Sequence, residues 1–213
     1  MSEISIHKSG QAVGSYVAKK VSRFEQAEYL AFGAEILLGS ILKLSVLFFI
    51  AAMMDIVLEV TVLLIVTGLI RTLSGGAHCS AYYRCLVTSV LMLTALGYTI
   101  KTIHPIIRLL PISFLIGITA LSIYLYWCYA PQAPLNKPFK NRTKELAFRW
   151  YTLFTVLALS IISISLGTSS LIAWTMAFAL LWQAFTLTPV GHSFIRLWDI
   201  LLTPKKKGGE AEC

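Results

Sequence analysis

Charge is the scarce ingredient of this sequence. Asp, Glu, Lys and Arg make up only 13% of its 213 residues, against 57% apolar residues and a mean hydropathy of +0.75. A water-soluble chain carries about a quarter charged residues. A chain this poor in charge cannot cover a water-facing surface, and the same composition excludes disordered, fibrous and disulfide-rich secreted classes. The four cysteines, Cys79, Cys85, Cys128 and Cys213, show neither zinc-finger nor disulfide spacing. No nucleic-acid-binding motif is present, so the net charge of +8 is not read as a nucleic-acid footprint. The first residues, Met1 to Gly10, lack the basic start and early apolar core of a cleavable signal peptide. No internal repeat stands out. Acids are missing from one long stretch, with no Asp or Glu between Glu59 and Glu145.

What the chain has instead is long apolar runs. A bilayer-spanning helix needs about 20 mainly apolar residues. Six runs approach that length: Tyr29–Met54, Ile56–Ile70, Cys85–Ile100, Leu109–Ala130, Tyr151–Gly167 and Ser169–Thr188. The expectation is an all-α polytopic integral membrane protein with about six hydrophobic helices. The second and third runs are short, so either one is a candidate re-entrant or tilted element. Ahead of them, Val13, Tyr16, Val17, Val21 and Phe24 recur at helical spacing with Lys19, Lys20 and Arg23 between them. That pattern predicts an amphipathic interfacial helix within residues 1–28. Residues 204–213 read as a flexible polar tail, and the whole of 1–213 as one membrane-embedded domain. The tryptophans Trp127, Trp150, Trp174, Trp182 and Trp198 mostly flank the runs, as an interfacial belt does.

Charge placement predicts orientation. If all six runs cross and the N-terminus is cytoplasmic, fifteen of the 18 basic residues fall in inside segments. Only Lys101 and Arg108 fall outside, and Lys43 lies within the first run. This is a strong positive-inside bias. Both termini and the loop around His78 are therefore expected on the cytoplasmic side.

Chemistry concentrates in the stretch from Arg71 to Cys85, which interrupts two apolar runs at Gly75-Gly76 and then presents His78 and Cys85. Glycines permit a tight bend and leave room for a peptide to approach. A histidine can take the proton of a nearby thiol, and the thiolate is the nucleophile. On one continuous helix, seven residues would separate the two by about 10.5 Å along the axis. Direct pairing needs roughly 3–4 Å. The spacing therefore predicts a helix break, with His78 on its non-helical side and Cys85 near a helix N-terminus, where the dipole lowers the thiol pKa. Because no acid lies nearby, a dyad is the economical reading. A backbone carbonyl, Ser74 or the distant Glu35 are alternatives for orienting the ring. Cys79 adjoins His78 and points away from it on a helix. His78, Cys79, Cys85 and His104 are poorly spaced for a tetrahedral metal site, so no metal or cofactor is expected.

At these residues the sequence resembles the AgrB family, the accessory gene regulator B membrane endopeptidases of Gram-positive bacteria. The likeness is carried by Arg71, Gly75-Gly76-Ala77-His78 and Cys85, by Tyr129-Ala130-Pro131 followed by Lys137-Pro138, by Phe32 to Leu37 leading to Lys43, and by Leu187-Thr188-Pro189. The resemblance implies a cysteine endopeptidase of a bacterial cell membrane. Such a protein cuts the precursor of a quorum-sensing signal peptide and promotes its cyclisation to a thiolactone or lactone. By that match Cys85 is the nucleophile, His78 its general base, and Arg71, Gly75 and Gly76 structural or substrate-positioning residues. Some members carry consecutive lysines before the connector proline, where this sequence has Leu135-Asn136-Lys137.

Lys137 and Lys140, in the polar connector Pro131–Arg149, are candidates for binding an acidic part of the precursor; headgroup contact and topology explain them equally simply. Glu35 is a candidate substrate contact, or pairs indirectly with Lys43 eight residues away, or snorkels to the interface. Membrane lipids and the precursor are the expected partners, a homodimer is compatible with the family, and nucleic acid is not expected. A small peptide transporter is the competing class. It calls for polar residues deep in several runs and paired half-repeats, whereas the later runs here are almost uncharged.

Overall fold

The computed structural model describes residues 6–20, 27–77, 82–132 and 141–203. Every regular element among them is a helix: α1 (Ile6–Lys20), α2 (Ala27–Met53), α3 (Val57–Ser74), α4 (Tyr82–Ile107), α5 (Ile112–Tyr129), α6 (Arg142–Ser165), α7 (Leu171–Phe185) and α8 (Pro189–Leu201). Helices are the expected solution, because lipid offers backbone groups no hydrogen-bond partner. Helices α2 to α6 are each long and apolar enough to cross a membrane. α7 and α8 qualify only together, as a pair bent by 84° at a short break. The protein is thus an all-helical, multi-pass membrane protein.

The chain forms two compact units, residues 1–50 and 51–213. The first holds α1 and most of α2. α1 exposes Val13, Tyr16 and Val17 beside Lys19 and Lys20, the amphipathic pattern read from sequence; Val21 and Phe24 lie outside the described residues. α2 is mostly apolar, with Glu35 and Lys43 within it, and leaves Tyr29, Phe32, Leu37, Ile41 and Phe49 exposed, as a lipid-facing span does.

In the second unit α7 is the central element and touches α3, α4, α5 and α6. Most of its length is buried, including Trp174, Ala177, Leu180 and Ala184, while Ile172 near its start is exposed. α3 turns one stripe inward, Val60, Leu63, Val66, Thr67, Ile70 and Ser74, at three- and four-residue intervals. α5 and α6 present small hydroxyl residues to the core: Thr119 and Ser122 from one, Thr152, Ser160 and Ser163 from the other. Small residues let membrane helices approach closely. Their hydroxyls are mostly satisfied by the preceding turn, as in Thr119 to Leu115 O (3.1 Å) and Thr152 to Phe148 O (2.8 Å). Side-chain bonds tie α6 and α5 to α7: Ser163 Oγ donates to Ala173 O (2.7 Å), and Tyr126 Oη donates to Leu180 O (3.2 Å).

Three features differ from the sequence reading. The second and third runs are not shortened elements but helices of 18 and 26 residues. α4 continues past Ile100 to Ile107, and Lys101, which ended the apolar run, is paired with Asp55 at 2.8 Å. The last run does not simply end in a tail. It bends at Thr188, whose Oγ1 accepts from Gly191 N (3.0 Å), and Pro189 opens α8. A hydroxyl cap followed by proline is a helix-start signal that an apolar-run count passes over. Trp174, read from sequence as part of an interfacial belt, is buried inside the protein, donating from Nε1 to Thr168 O (2.8 Å). Trp127 and Trp150 are exposed and meet edge to face.

Candidate functional site

The described residues on either side of the expected break show a helix end and a helix start. α3 ends at Ser74, residues Gly75 to Ala77 are non-helical, and α4 begins at Tyr82. Cys85 therefore sits in the first turn of α4, half-buried, with a free thiol. His78, Cys79, Lys137 and Lys140 lie outside the described residues.

Local sequence explains the bend. Gly75 has φ +75° and ψ −147°, and Gly76 has φ +137°, conformations that side-chain-bearing residues rarely adopt. A second reason is space. A Cβ on Gly75 would lie 2.1 Å from the carbonyl oxygen of Gln132, so the connector packs directly on the glycine backbone.

Arg71, Gly75 and Gly76 are brought together, and each has a visible role. Gly75 N donates to Arg71 O (3.0 Å), closing the last turn of α3. The Arg71 guanidinium donates to Ala77 O, reaching across the bend to its far side. Ala77 N donates to Thr186 O (3.4 Å) just past the end of α7. Ala77, the residue immediately before His78, is thus held from α3 at its carbonyl and from the α7–α8 corner at its N–H.

Residues absent from the sequence reading complete this end of the bundle. Gln183, buried on α7, donates from Nε2 to Gly75 O (3.0 Å). Gln132 spends its backbone and both ends of its side chain here. Its N–H donates to Ser74 O (2.8 Å), and its Nε2 donates to Leu187 O (2.6 Å). A carbonyl can only accept, so the amide nitrogen faces Leu187. That leaves Gln132 Oε1 to accept from His192 Nε2 of α8 at 2.8 Å. The start of the polar connector is therefore fastened to α3 and to the α7–α8 corner.

α8 also braces the start of α4. Arg84, next to Cys85, forms an ion pair with Asp199 (3.1 Å) and donates to Thr203 Oγ1 (2.9 Å), while Tyr83 Oη donates to Leu202 O (3.3 Å). At the far end of the connector, Arg149 lies 4.8 Å from the Trp127 ring centroid and donates to Trp127 O (2.9 Å). A lone carboxamide inside the apolar run Ser169–Thr188 was the available signal for Gln183. No sequence signal pointed to Gln132, His192 or Asp199, whose partners lie far away in the chain.

Glu35 is half-buried on α2 in the first unit. Among the described residues no three His, Cys, Asp or Glu side chains gather as a metal site.

Comparisons with known proteins match this chain along most of its length. The putative AgrB-like protein 2 of Clostridium perfringens (strain 13 / Type A) is 24% identical over 207 residues, covering 88% of this chain and 95% of that protein. The accessory gene regulator protein B of Staphylococcus aureus (strain Newman) is 29% identical over 160 residues, covering 74% of this chain and 79% of that protein. No solved structure matches. The family model described as accessory gene regulator B matches residues 11–187, from within α1 to just past α7, with the Gly75 break and Cys85 inside the matched stretch. The chain belongs to the accessory gene regulator B family.

Proposed function

We propose that this protein is a membrane cysteine endopeptidase that processes the precursor of a quorum-sensing signal peptide. The observation that carries the reading is the placement of Cys85 in the first turn of a helix that follows a glycine break, in a chain of this family.

The chemistry follows from the residues. His78 takes the Cys85 proton, and the thiolate attacks the precursor's scissile carbonyl. The C–N bond breaks, His78 returns the proton to the leaving amine, and the C-terminal fragment departs. The N-terminal part remains as a Cys85 thioester. A cysteine or serine within the bound peptide then attacks that thioester, regenerating the Cys85 thiol and closing a thiolactone or lactone. Exchange of one thioester for another roughly conserves bond energy. Holding the internal nucleophile in place while excluding water favours cyclisation over hydrolysis.

In this reading Arg71, Gly75 and Gly76 shape the backbone ahead of the base rather than touch substrate. Lys137 and Lys140 attract an acidic part of the precursor. The fastening of Gln132 beside the break supports this, because it roots their connector next to Gly75. The Gly75 end of the bundle faces the cytoplasm, in keeping with the distribution of basic residues.

The test is precursor cleavage in membranes containing wild type, Cys85→Ala, His78→Ala or Cys79→Ala. Cys85→Ala and His78→Ala are expected to insert normally and lose cleavage, and Cys79→Ala to retain it. Cleavage by Cys85→Ala would overturn the mechanism.

A further inference from the structure

Gln183 is the one carboxamide on α7, an element otherwise built of apolar and small residues, and it is only 1% exposed. Burying an amide in a membrane helix is costly, and residues of this kind mark function more often than packing. Its donor is directed at one atom of consequence, the carbonyl oxygen of Gly75, 3.0 Å away. Gly75 is the residue at which the backbone leaves α3, so no helical N–H reaches its carbonyl, whose other donor is the neighbouring Ser74 hydroxyl at 3.3 Å. The same Nε2 stands 3.3 Å from where a Cβ on Gly76 would lie. Gln183 thus bears on both glycines from one side, while Gln132 packs on Gly75 from another. Beyond them, Ala77 is held at its N–H by Thr186 O and at its carbonyl by Arg71.

We propose that Gln183 is a positioning residue of the peptidase centre: its carboxamide sets the direction in which the chain leaves α3 toward His78. The proposal rests on the peptidase reading given above. Gln183 touches neither the thiol nor the substrate in this role. It acts through the Gly75–Ala77 backbone, and its loss lets the general base drift from the nucleophile. A misplacement of about 1 Å costs up to about 100-fold in rate.

A buried bond on the same helix provides the structural control. Tyr126 Oη donates to Leu180 O one turn earlier, away from the glycine break. Tyr126→Phe removes a hydrogen bond to α7 without touching the bend. The experiment uses the full chain in lipid vesicles and compares wild type, Gln183→Met, Gln183→Asn, Tyr126→Phe and Cys85→Ala. Four quantities are measured: inserted folded protein, kcat and KM for precursor cleavage, and the pH profile of Cys85 alkylation by iodoacetamide, read by peptide mass spectrometry.

Gln183→Met keeps the side-chain volume and loses the donor. It is expected to insert like Tyr126→Phe, to lower kcat about 10- to 100-fold with KM nearly unchanged, and to alter the pH profile of Cys85 alkylation as the general base moves away from the thiol. Tyr126→Phe is expected to leave kcat and the alkylation profile in place. If Gln183→Met does not accumulate, Gln183→Asn, which keeps a donor one methylene short of Gly75, decides by the same criteria. Wild-type kcat and alkylation profile in the Gln183 variant, or a loss that only tracks the amount of folded protein, would overturn the proposal while Cys85→Ala is inactive. Cleavage by Cys85→Ala would overturn the peptidase reading and this proposal with it.

Discussion

The two ends of the α3–α8 bundle are built by different means. At the Asp55 end, the turns are closed mostly by neighbours. Ser170 Oγ accepts from Ala173 N, Trp174 Nε1 reaches Thr168 O, and the α4–α5 turn is closed by bonds among residues 104–114. One longer link, Asp55 with Lys101, joins the α2–α3 turn to α4. At the Gly75 end the bonds run between distant segments: Gln183 to Gly75 spans 108 residues and Arg84 to Thr203 spans 119. Local turns close themselves, whereas a bend that must hold a particular backbone direction is held from several elements at once.

A matched pair of glycines tests this difference most severely. Gly75 and Gly167 have nearly the same φ, +75° and +74°, but Gly75 is pressed against Gln132 O while nothing lies within 4 Å of a Cβ on Gly167. Gly75→Ala is expected to cost more than about 3 kcal/mol, or to prevent accumulation, because it adds a backbone clash to the conformational penalty. Gly167→Ala carries the penalty alone, about 1–2 kcal/mol, and keeps precursor cleavage. Thermal unfolding in detergent, with cleavage measured alongside, separates the two. Equal losses would break the comparison.

The brace between α8 and α4 comes next in size. Its charged side chains are 17% and 16% exposed, so removing the carboxylate takes a charge-assisted bond from a partly buried place and leaves Arg84 only its neutral acceptors, Thr203 Oγ1 and Asp199 O. Asp199→Asn is expected to lower stability by about 1–3 kcal/mol, and Arg84→Gln combined with it should cost less than the sum of the two single changes. Strict additivity in that double-mutant cycle would show that the pair is not coupled.

The smallest effect is expected at the opposite end. The hydrogen bond from Lys101, and then its charge, hold the fully exposed Asp55 carboxyl below the usual carboxylate range. A lowered folded-state pKa stabilises the protein above the unfolded value, about 3.9, and the contribution fades as pH falls through the folded one. The melting-temperature difference between wild type and Asp55→Asn should therefore be small and flat from about pH 5 to 8, and close below about pH 4. A difference that grows on acidification would contradict the assignment.

The bend beside the candidate site was legible in the chain. The Gly75-Gly76 pair and the spacing of His78 from Cys85 required a break, because a continuous helix separates those residues too far for contact. Cys85 in the first turn of α4 agrees with that geometric argument. The apolar runs located the spans, but counting them cut α4 short at Lys101, since a charge reads as an end until its partner is known. The roles of Arg71 and the glycines came from the family resemblance in outline; the carbonyl of Ala77 and the packing of Gln132 on Gly75 supply them with physical content.

The sequence by itself determined the membrane setting, the helical class and the place of the break, because apolar run length, scarce charge and glycine content act locally along the chain. Only the tertiary structure decided that α7 is the buried centre, that the last apolar run bends into α8, and that Gln183, Gln132 and Arg84 lock the Gly75 end. Those outcomes depend on which distant backbone carbonyl or carboxylate each side chain reaches, and residues separated by a hundred positions meet only after the helices have packed.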